Sequence, residues 1–307
     1  MTLPTAQPAT LPSVFHHANW TIKYALLSPP PRFQPTQTLI FIHGTPWSST
    51  VFLPLANSLR TTTPTLRILL YDLPGYGQSQ HLDTTTTTTS IPKSKGFAGT
   101  TSVRHQATAL SALLTHLSLS SPAPSILAHD IGGAIALRAH LLHGIEFSRL
   151  LLCDANAVLP WGDGFYSLAR AEPSVFQRLP GHIWEAVVRA VVRSGSQAGL
   201  RGDWEEELVA PWLGSRGQEA FVRQVAQAED GDVGEMVEGG LYGRVRCGIK
   251  VVWGKGDGWV PREKVDRFCG LVGERLEGLE FVEGAGHLVM LDQPERFERI
   301  VTDWLGL

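Results

Sequence analysis

Six short apolar runs constrain this chain most: "TLIFIHG", "RILLYDLPG", "SILAHD", "RLLLCDA", "IKVVWGK" and "LEFVEGAG" are rich in Ile, Leu and Val and lack polar alternation. A strand wetted on one side alternates apolar with polar residues, whereas a strand covered on both sides does not. Helical patterns separate the runs: "TVFLPLANSLR", "SVRHQATALSALLTHLSL", "GGAIALRAHLLHG" and "REKVDRFCGLVGERL". Strand and helix therefore alternate, which predicts an α/β protein built on a doubly wound, mostly parallel sheet.

The alternation stops between Asn156 and Tyr242. There "SVFQRLPGHIWEAVVRAVVR" and "EEELVAPWLGSRGQEAFVRQVAQAE" read as helices with no strand between them. This predicts a helical lid over residues 156–243, inserted between a first core segment, residues 1–155, and a second, residues 244–307. A chain of 307 residues accommodates such a core and insert in one globular unit. A second irregularity, "HLDTTTTTTSIPKSKGFAGTT", has neither helical nor strand period and reads as a flexible surface excursion. It follows "DLPGYGQS", near the mouth of any site at the carboxyl ends of the strands, so a gating role stays open.

Charge and cysteine usage narrow the partners. The net charge of -3 offers no basic field for nucleic acid, and the Arg residues between Arg189 and Arg223 are spaced among acidic and apolar residues like solvated helix faces. Cys153, Cys247 and Cys269 are too few and too scattered for a disulfide framework or a zinc site, so they read as reduced thiols, and no metal or cofactor is expected. The opening "MTLPTAQPATLPSVFHH" lacks a basic n-region and a continuous apolar h-region, and no stretch approaches the roughly 18 apolar residues of a membrane span. The expectation is a soluble cytoplasmic protein that does not engage a membrane.

The chemistry is concentrated in "LAHDIGGAIALR", residues 127–138. A strand ends at Asp130 and a helix begins at once, so the turn between them is tight and needs small neighbours. Ala128, Gly132 and Gly133 supply them, giving the pattern of a nucleophile elbow with Asp where Ser usually stands. Read alone, Asp130 could be only a helix cap. Two further segments argue otherwise: "VVWGKGDGWVP" puts Asp257 just past a strand, and "VEGAGHLVMLDQPERF" puts His287 in the loop after the last strand. Nucleophile, acid and histidine thus follow one another in the chain order of an elbow hydrolase. Asp154, at the end of "LLLCD", competes with Asp257 for the acid role; the fuller "WG…D…P" surroundings favour Asp257.

With "HGTP" (residues 43–46), "DLPGYGQS" (residues 72–79), "HDIGG", "WGKGD" and "GAGH" in place, the sequence from Thr38 to its C-terminus resembles the α/β-hydrolase superfamily, and within it the Asp-nucleophile branch of epoxide hydrolases and haloalkane dehalogenases. No G-x-S-x-G occurs in the chain. The resemblance implies that Asp130 attacks an electrophilic carbon of a small apolar substrate to form an alkyl-enzyme ester. His287, oriented by Asp257, then activates water as the co-substrate. It also implies an oxyanion hole from the backbone N–H groups of Thr45 and Ile131, and structural roles for His43 and His129.

The branch itself divides on its proton and halide donors. Haloalkane dehalogenases carry Trp after the nucleophile and many carry Asn after "HG"; Ile131 and Thr45 stand there instead, and Ile has no side-chain donor. Haloacetate dehalogenases place Arg beside the nucleophile, which Ile131 also excludes. Epoxide hydrolases use acidic hydroxyls from the lid, for which Tyr166 is the better candidate beside His182 and Tyr242, while Trp161 and Phe165 line an apolar wall or belong to the core. An epoxide hydrolase-like activity is therefore the leading expectation. A dehalogenase, an ester, lactone or C–C bond hydrolase, and a non-catalytic binding protein are its competitors.

Overall fold

The computed structural model describes residues 10–83, 93–162 and 164–307. Two strands outside the apolar pattern open it. β1 (Ser13–His17) and β2 (Trp20–Leu27) pair antiparallel across Ala18 and Asn19, both at positive φ, 45° and 73°. This is the two-residue turn that matches strand twist. β1 alternates between half-buried and exposed residues, and this wetted edge lacks the apolar density that marks the interior strands.

From there the predicted alternation holds. In chain order come β3 (Gln37–Ile42), α1 (Leu53–Thr62), β4 (Leu66–Tyr71), the short pair β5 (Lys93–Ser94) and β6 (Phe97–Ala98), α2 (Val103–His116), β7 (Ser125–His129), α3 (Ile131–Leu142) and β8 (Arg149–Cys153). After a helical insert, β9 (Gly248–Gly254) leads to α10 (Arg262–Val272), β10 (Leu276–Val282), α11 (Val289–Asp292) and α12 (Pro294–Leu305). The main sheet has eight strands in the order β1-β2-β4-β3-β7-β8-β9-β10, and every pairing from β4 to β10 is parallel. All five residues of β7 are buried. Helices on both faces explain that, with α2 packed on α3 and α1 on α12.

The insert carries α4 (Gly164–Ala171), α5 (Pro173–Gln177), α6 (Gly181–Ser194), α7 (Trp204–Val209), α8 (Gly214–Ala226) and α9 (Gly231–Glu238), with no strand among its described residues. Proline sets two of its breaks: Pro180 caps α6, and Pro211 separates α7 from α8. Trp184, Trp212 and Phe221 meet edge to face at its centre. Trp212 Nε1 donates to Pro46 O at 2.8 Å and Gln80 Nε2 to Pro211 O at 3.0 Å, which seats the insert on the loops at the carboxyl ends of β3 and β4.

Two expectations are corrected here. Part of the Thr-rich excursion, residues 84–92, lies outside the described residues, but its end is built rather than loose. β5 and β6 pair antiparallel, and the Gln227 side chain donates to Ser94 O and Gly99 O while accepting from Thr101 N and Oγ1. The arginines between Arg189 and Arg223 are also not uniformly solvated. Arg189 and Arg193 form surface ion pairs with Glu205, whereas Arg223 is buried with its guanidinium 5.1 Å from the Trp20 ring centre.

Among the described residues no helix is long and apolar enough to cross a membrane.

Candidate active site

β7 delivers Asp130 to the start of α3 with φ 51° and ψ −124°, a conformation that L-residues rarely occupy. The surroundings hold it there. Asp130 N donates to Cys153 O, and Asp130 O accepts from Gly133 N and Asn156 N. α3 also starts so close to the end of β3 that a Cβ on Gly132 would fall 2.5 Å from Ile42 O. Gly44 is required for the same kind of reason: its Cβ would lie 2.4 Å from Asp130 Cβ. That bare backbone lets the Thr45 N–H donate to Asp130 Oδ2 at 2.8 Å, and the Ile131 N–H adds to the stabilisation of the same carboxylate.

The other oxygen faces the histidine. His287 Nε2 is 3.9 Å from Asp130 Oδ1, and His287 Nδ1 is 3.0 Å from Asp257 Oδ2. Asp257 Oδ1 accepts from the N–H groups of Trp259 and Val260 at 2.7 and 3.2 Å, which fixes the rotamer that meets the ring. The Trp259 ring stacks on His287 at 4.7 Å, and His129 Nε2 hydrogen-bonds His287 O at 2.8 Å. His43 is held by Gly44 O through Nδ1 and receives the Leu73 N–H on Nε2, so both of its nitrogens serve loop structure. Asp154 does not meet the ring. Its Oδ1 accepts from Gly254 N at 2.8 Å and its Oδ2 from the Cys153 thiol at 3.1 Å, fully buried.

Burial and charge set the protonation of this group. Burial pushes the Asp130 carboxyl up, against the pull of His287 and the two N–H groups. Burial works against the His287 imidazolium too, but the charge and hydrogen bond of Asp257, with Asp130 behind them, outweigh it and push His287 up to about 9. Burial beside Asp257 drives Asp154 well above the carboxylate range. Asp257→Asn is accordingly expected to lower turnover by about 10³-fold or more, since an amide cannot balance the imidazolium. Asp154→Asn should cost less than about tenfold, because its amide oxygen can still accept from Gly254 N. Measuring kcat for both variants decides the acid, and the reverse ranking would give the role to Asp154.

The raised His287 value also makes stability pH-dependent. The folded state holds this proton more tightly than the unfolded chain, whose ordinary value is 6.5, so the contribution is complete below that pH and lost as pH rises through about 9. Between about pH 6 and about pH 10, Tm should therefore fall further in the wild type than in His287→Gln. Equal falls in a thermal-melt series would mean that folded His287 carries no extra proton.

Above Asp130 lies a partly open cavity with mainly apolar walls. Its lining includes Thr45, Ile131, Trp161 and Tyr166 of the residues singled out in the sequence, together with Tyr76, Asn156, Gln224 and Trp259, which were not. Tyr76 lay within the "DLPGYGQS" motif, and its hydroxyl is 2.7 Å from Thr45 Oγ1. The other lid candidates lie elsewhere: His182 is exposed at the start of α6, and the buried Tyr242 hydroxyl donates to Ala157 O at 2.5 Å. Phe165 packs among Tyr166, Phe176 and Phe221 inside the insert.

Residues 39–300 match the family model described as the alpha/beta hydrolase family. The chain belongs to that family. It is a hydrolase with the family's sheet and its elbow between β7 and α3. An alpha/beta hydrolase fold protein from Burkholderia ambifaria is 31% identical, with 96% of this chain and 98% of that one covered at a TM-score of 0.81. A thermophilic esterase from Thermogutta terrifontis (18% identity, 93% of each chain, TM-score 0.68) and the enol-lactonase from Burkholderia xenovorans (14%, 96% and 100%, 0.69) share the fold. Among curated proteins none matches the sequence.

Proposed function

We propose that this hydrolase works through a covalent alkyl ester on Asp130, in the manner of an epoxide hydrolase, with the helical insert as a lid over a small and largely apolar substrate. The observation that carries the reading is the division of labour between the two carboxylate oxygens of Asp130. Oδ2 is engaged by the Thr45 N–H at 2.8 Å, while Oδ1 faces His287 at 3.9 Å and is left to attack.

Each step follows from that arrangement. Oδ1 attacks an epoxide carbon, the ring C–O bond breaks, and the alkoxide takes a proton, for which Tyr166 in the cavity wall is the lid candidate. Esterification removes the negative charge of Asp130, one of the charges that hold the His287 proton, so that proton passes through water to replace the one Tyr166 gave up and leaves His287 a free base. His287 then takes a proton from water, and the hydroxide adds to Asp130 Cγ. The negative charge that develops on Oδ2 falls on the Thr45 and Ile131 N–H groups. Collapse passes the proton of the added hydroxyl to the departing alkoxide, which leaves as the diol, and restores the carboxylate beside the His287 imidazolium.

A single turnover in ¹⁸O-labelled water tests this. The label should enter the Asp130 side chain, located by peptide mapping, and be missing from the first product, because the oxygen delivered to product comes from Asp130. An ester or lactone substrate would make Asp130 a general base instead, since its direct attack would give a high-energy anhydride. In that case the label enters the product on the first turnover and never the peptide.

A further inference from the structure

The loop that carries His287 is short, since β10 ends at Val282 and α11 begins at Val289. Asp257 sets the side chain, but the backbone on either side of the histidine is held from elsewhere. Gly286 N, just before it, donates to Asp292 Oδ2 at 2.7 Å, and Leu288 N, just after it, donates to Gly195 O at 2.9 Å. Asp292 closes α11 and is buried. Its Oδ2 also accepts from Gln197 N at 2.9 Å, and its Oδ1 accepts from the Ser196 hydroxyl. One buried carboxylate thus joins the histidine loop to residues 195–197, the turn that follows α6 of the insert.

The approach is close enough to demand glycine. A Cβ on Gly286 would fall 2.8 Å from Gln197 N and 3.1 Å from Gly195 O. The end of α6 reaches the face of the imidazole as well, because Ser194 Oγ accepts from Trp259 Nε1 at 3.0 Å and the Trp259 ring stacks on His287. The insert is therefore tied to both backbone neighbours of the histidine, on one side through Asp292, and to the tryptophan that covers its ring.

We infer that Asp292 is a positioning residue that clamps the insert to the His287 loop, so that the seating of the insert sets the aim of the histidine in the hydrolytic step. This deepens the proposed function and rests on it in one respect, that His287 activates water in a second step. The first step does not depend on the clamp. Asp130 is held by backbone groups of Thr45, Gly133, Cys153 and Asn156, and among the described residues none of these bonds to Asp292 or to residues 194–197. A carboxylate suits the clamp because its two oxygens can accept three donors at once. Without it the buried Gly286 and Gln197 N–H groups must find other partners, and the loop shifts to meet them. A displacement of about 1 Å at a reacting group can cost about 10²-fold in rate.

Rapid-quench mass spectrometry of the whole chain with styrene oxide times the two steps separately. In Asp292→Ala, decay of the Asp130 adduct should slow about tenfold or more while its formation changes less than about threefold. Asp292→Asn should stay within about threefold of the wild type in both steps, since its amide oxygen can accept from Gly286 N and Gln197 N and its nitrogen can donate to Ser196 Oγ. Two steps slowed alike, a decay unchanged in Asp292→Ala, or a decay that Asp292→Asn does not restore would overturn the clamp. Should Asp292→Ala fail to fold, Ser196→Ala removes one of the insert's two bonds to Asp292 and should slow decay about threefold with formation unchanged. An unchanged decay there overturns the clamp equally. NMR titration supplies a readout that needs no substrate: release of the clamp loosens the contact of His287 with Asp257, so the His287 pKa should fall in Asp292→Ala and hold in Asp292→Asn. A protein that shows this pattern but opens no epoxide keeps the clamp and loses the reaction. One that forms and hydrolyses the adduct, with step times and His287 pKa unaltered in Asp292→Ala, keeps the reaction and loses the clamp.

Discussion

Asp130→Asn is expected to lower turnover by about 10⁴-fold or more while leaving the thermal midpoint close to that of the wild type. An amide has nearly the shape of the carboxylate, and its oxygen can still accept the Thr45 N–H, now at 2.8 Å from Asp130 Oδ2. Asn also tolerates positive φ better than most residues, so the elbow at φ 51° imposes little new strain. What is lost is nucleophilicity, because a neutral amide oxygen does not displace an alkoxide from carbon. The loss should be read in freshly prepared protein, since slow deamidation would return the aspartate and with it the activity, in step with the mass change of deamidation. Undiminished turnover with deamidation ruled out would remove Asp130 from the mechanism. The same variant removes a charge that favours the His287 imidazolium, so by NMR titration the His287 pKa should fall below its wild-type value of about 9.

The parts of the fold that were legible in sequence are those whose burial leaves a one-dimensional trace. β3, β4, β7, β8 and β9 are largely buried and read as apolar runs; β1 and β2, at one wetted edge, blur into the N-terminal segment, and β10, at the other edge, is half-buried along most of its length. α8 misleads in the opposite direction. Its composition, "GSRGQEAFVRQVA", looks like a solvated helix, but it is wedged between the rest of the insert and the core, which buries Gln218, Arg223 and Gln224. No periodicity signals that a polar side is being buried rather than wetted. The candidate site shows the same limit. Elbow, acid and histidine were each found by motif, yet both Asp154 and Asp257 follow strands that run side by side. The contact that distinguishes them, His287 Nδ1 on Asp257 Oδ2, depends on the Trp259 and Val260 N–H groups that orient Asp257. Such a loop rotamer has no sequence signature.

His287→Gln should separate the two proposed steps, because Asp130 needs no base to attack whereas the hydrolytic water does. The carboxylate keeps its Thr45 and Ile131 N–H contacts in this variant, although the loss of a facing cation removes one of the terms that favour its charge. Attack should therefore proceed at a reduced rate, followed by a stop. Steady-state turnover is expected to fall by about 10³-fold or more, with a burst of one substrate consumed per active site. Intact-protein mass spectrometry should then show an adduct, and peptide mapping should place it on the fragment that contains Asp130. Its mass is the whole substrate for an epoxide, since ring opening expels nothing, and substrate minus HX for an alkyl halide, so one measurement also separates those chemistries. A variant with neither burst nor adduct, on a substrate that the wild type consumes, would put His287 in the first bond-making step. Asp130 would then act beside a directly activated water, and the 3.9 Å between His287 Nε2 and Asp130 Oδ1 would belong to a general-base pair rather than to a nucleophile and the base that releases it.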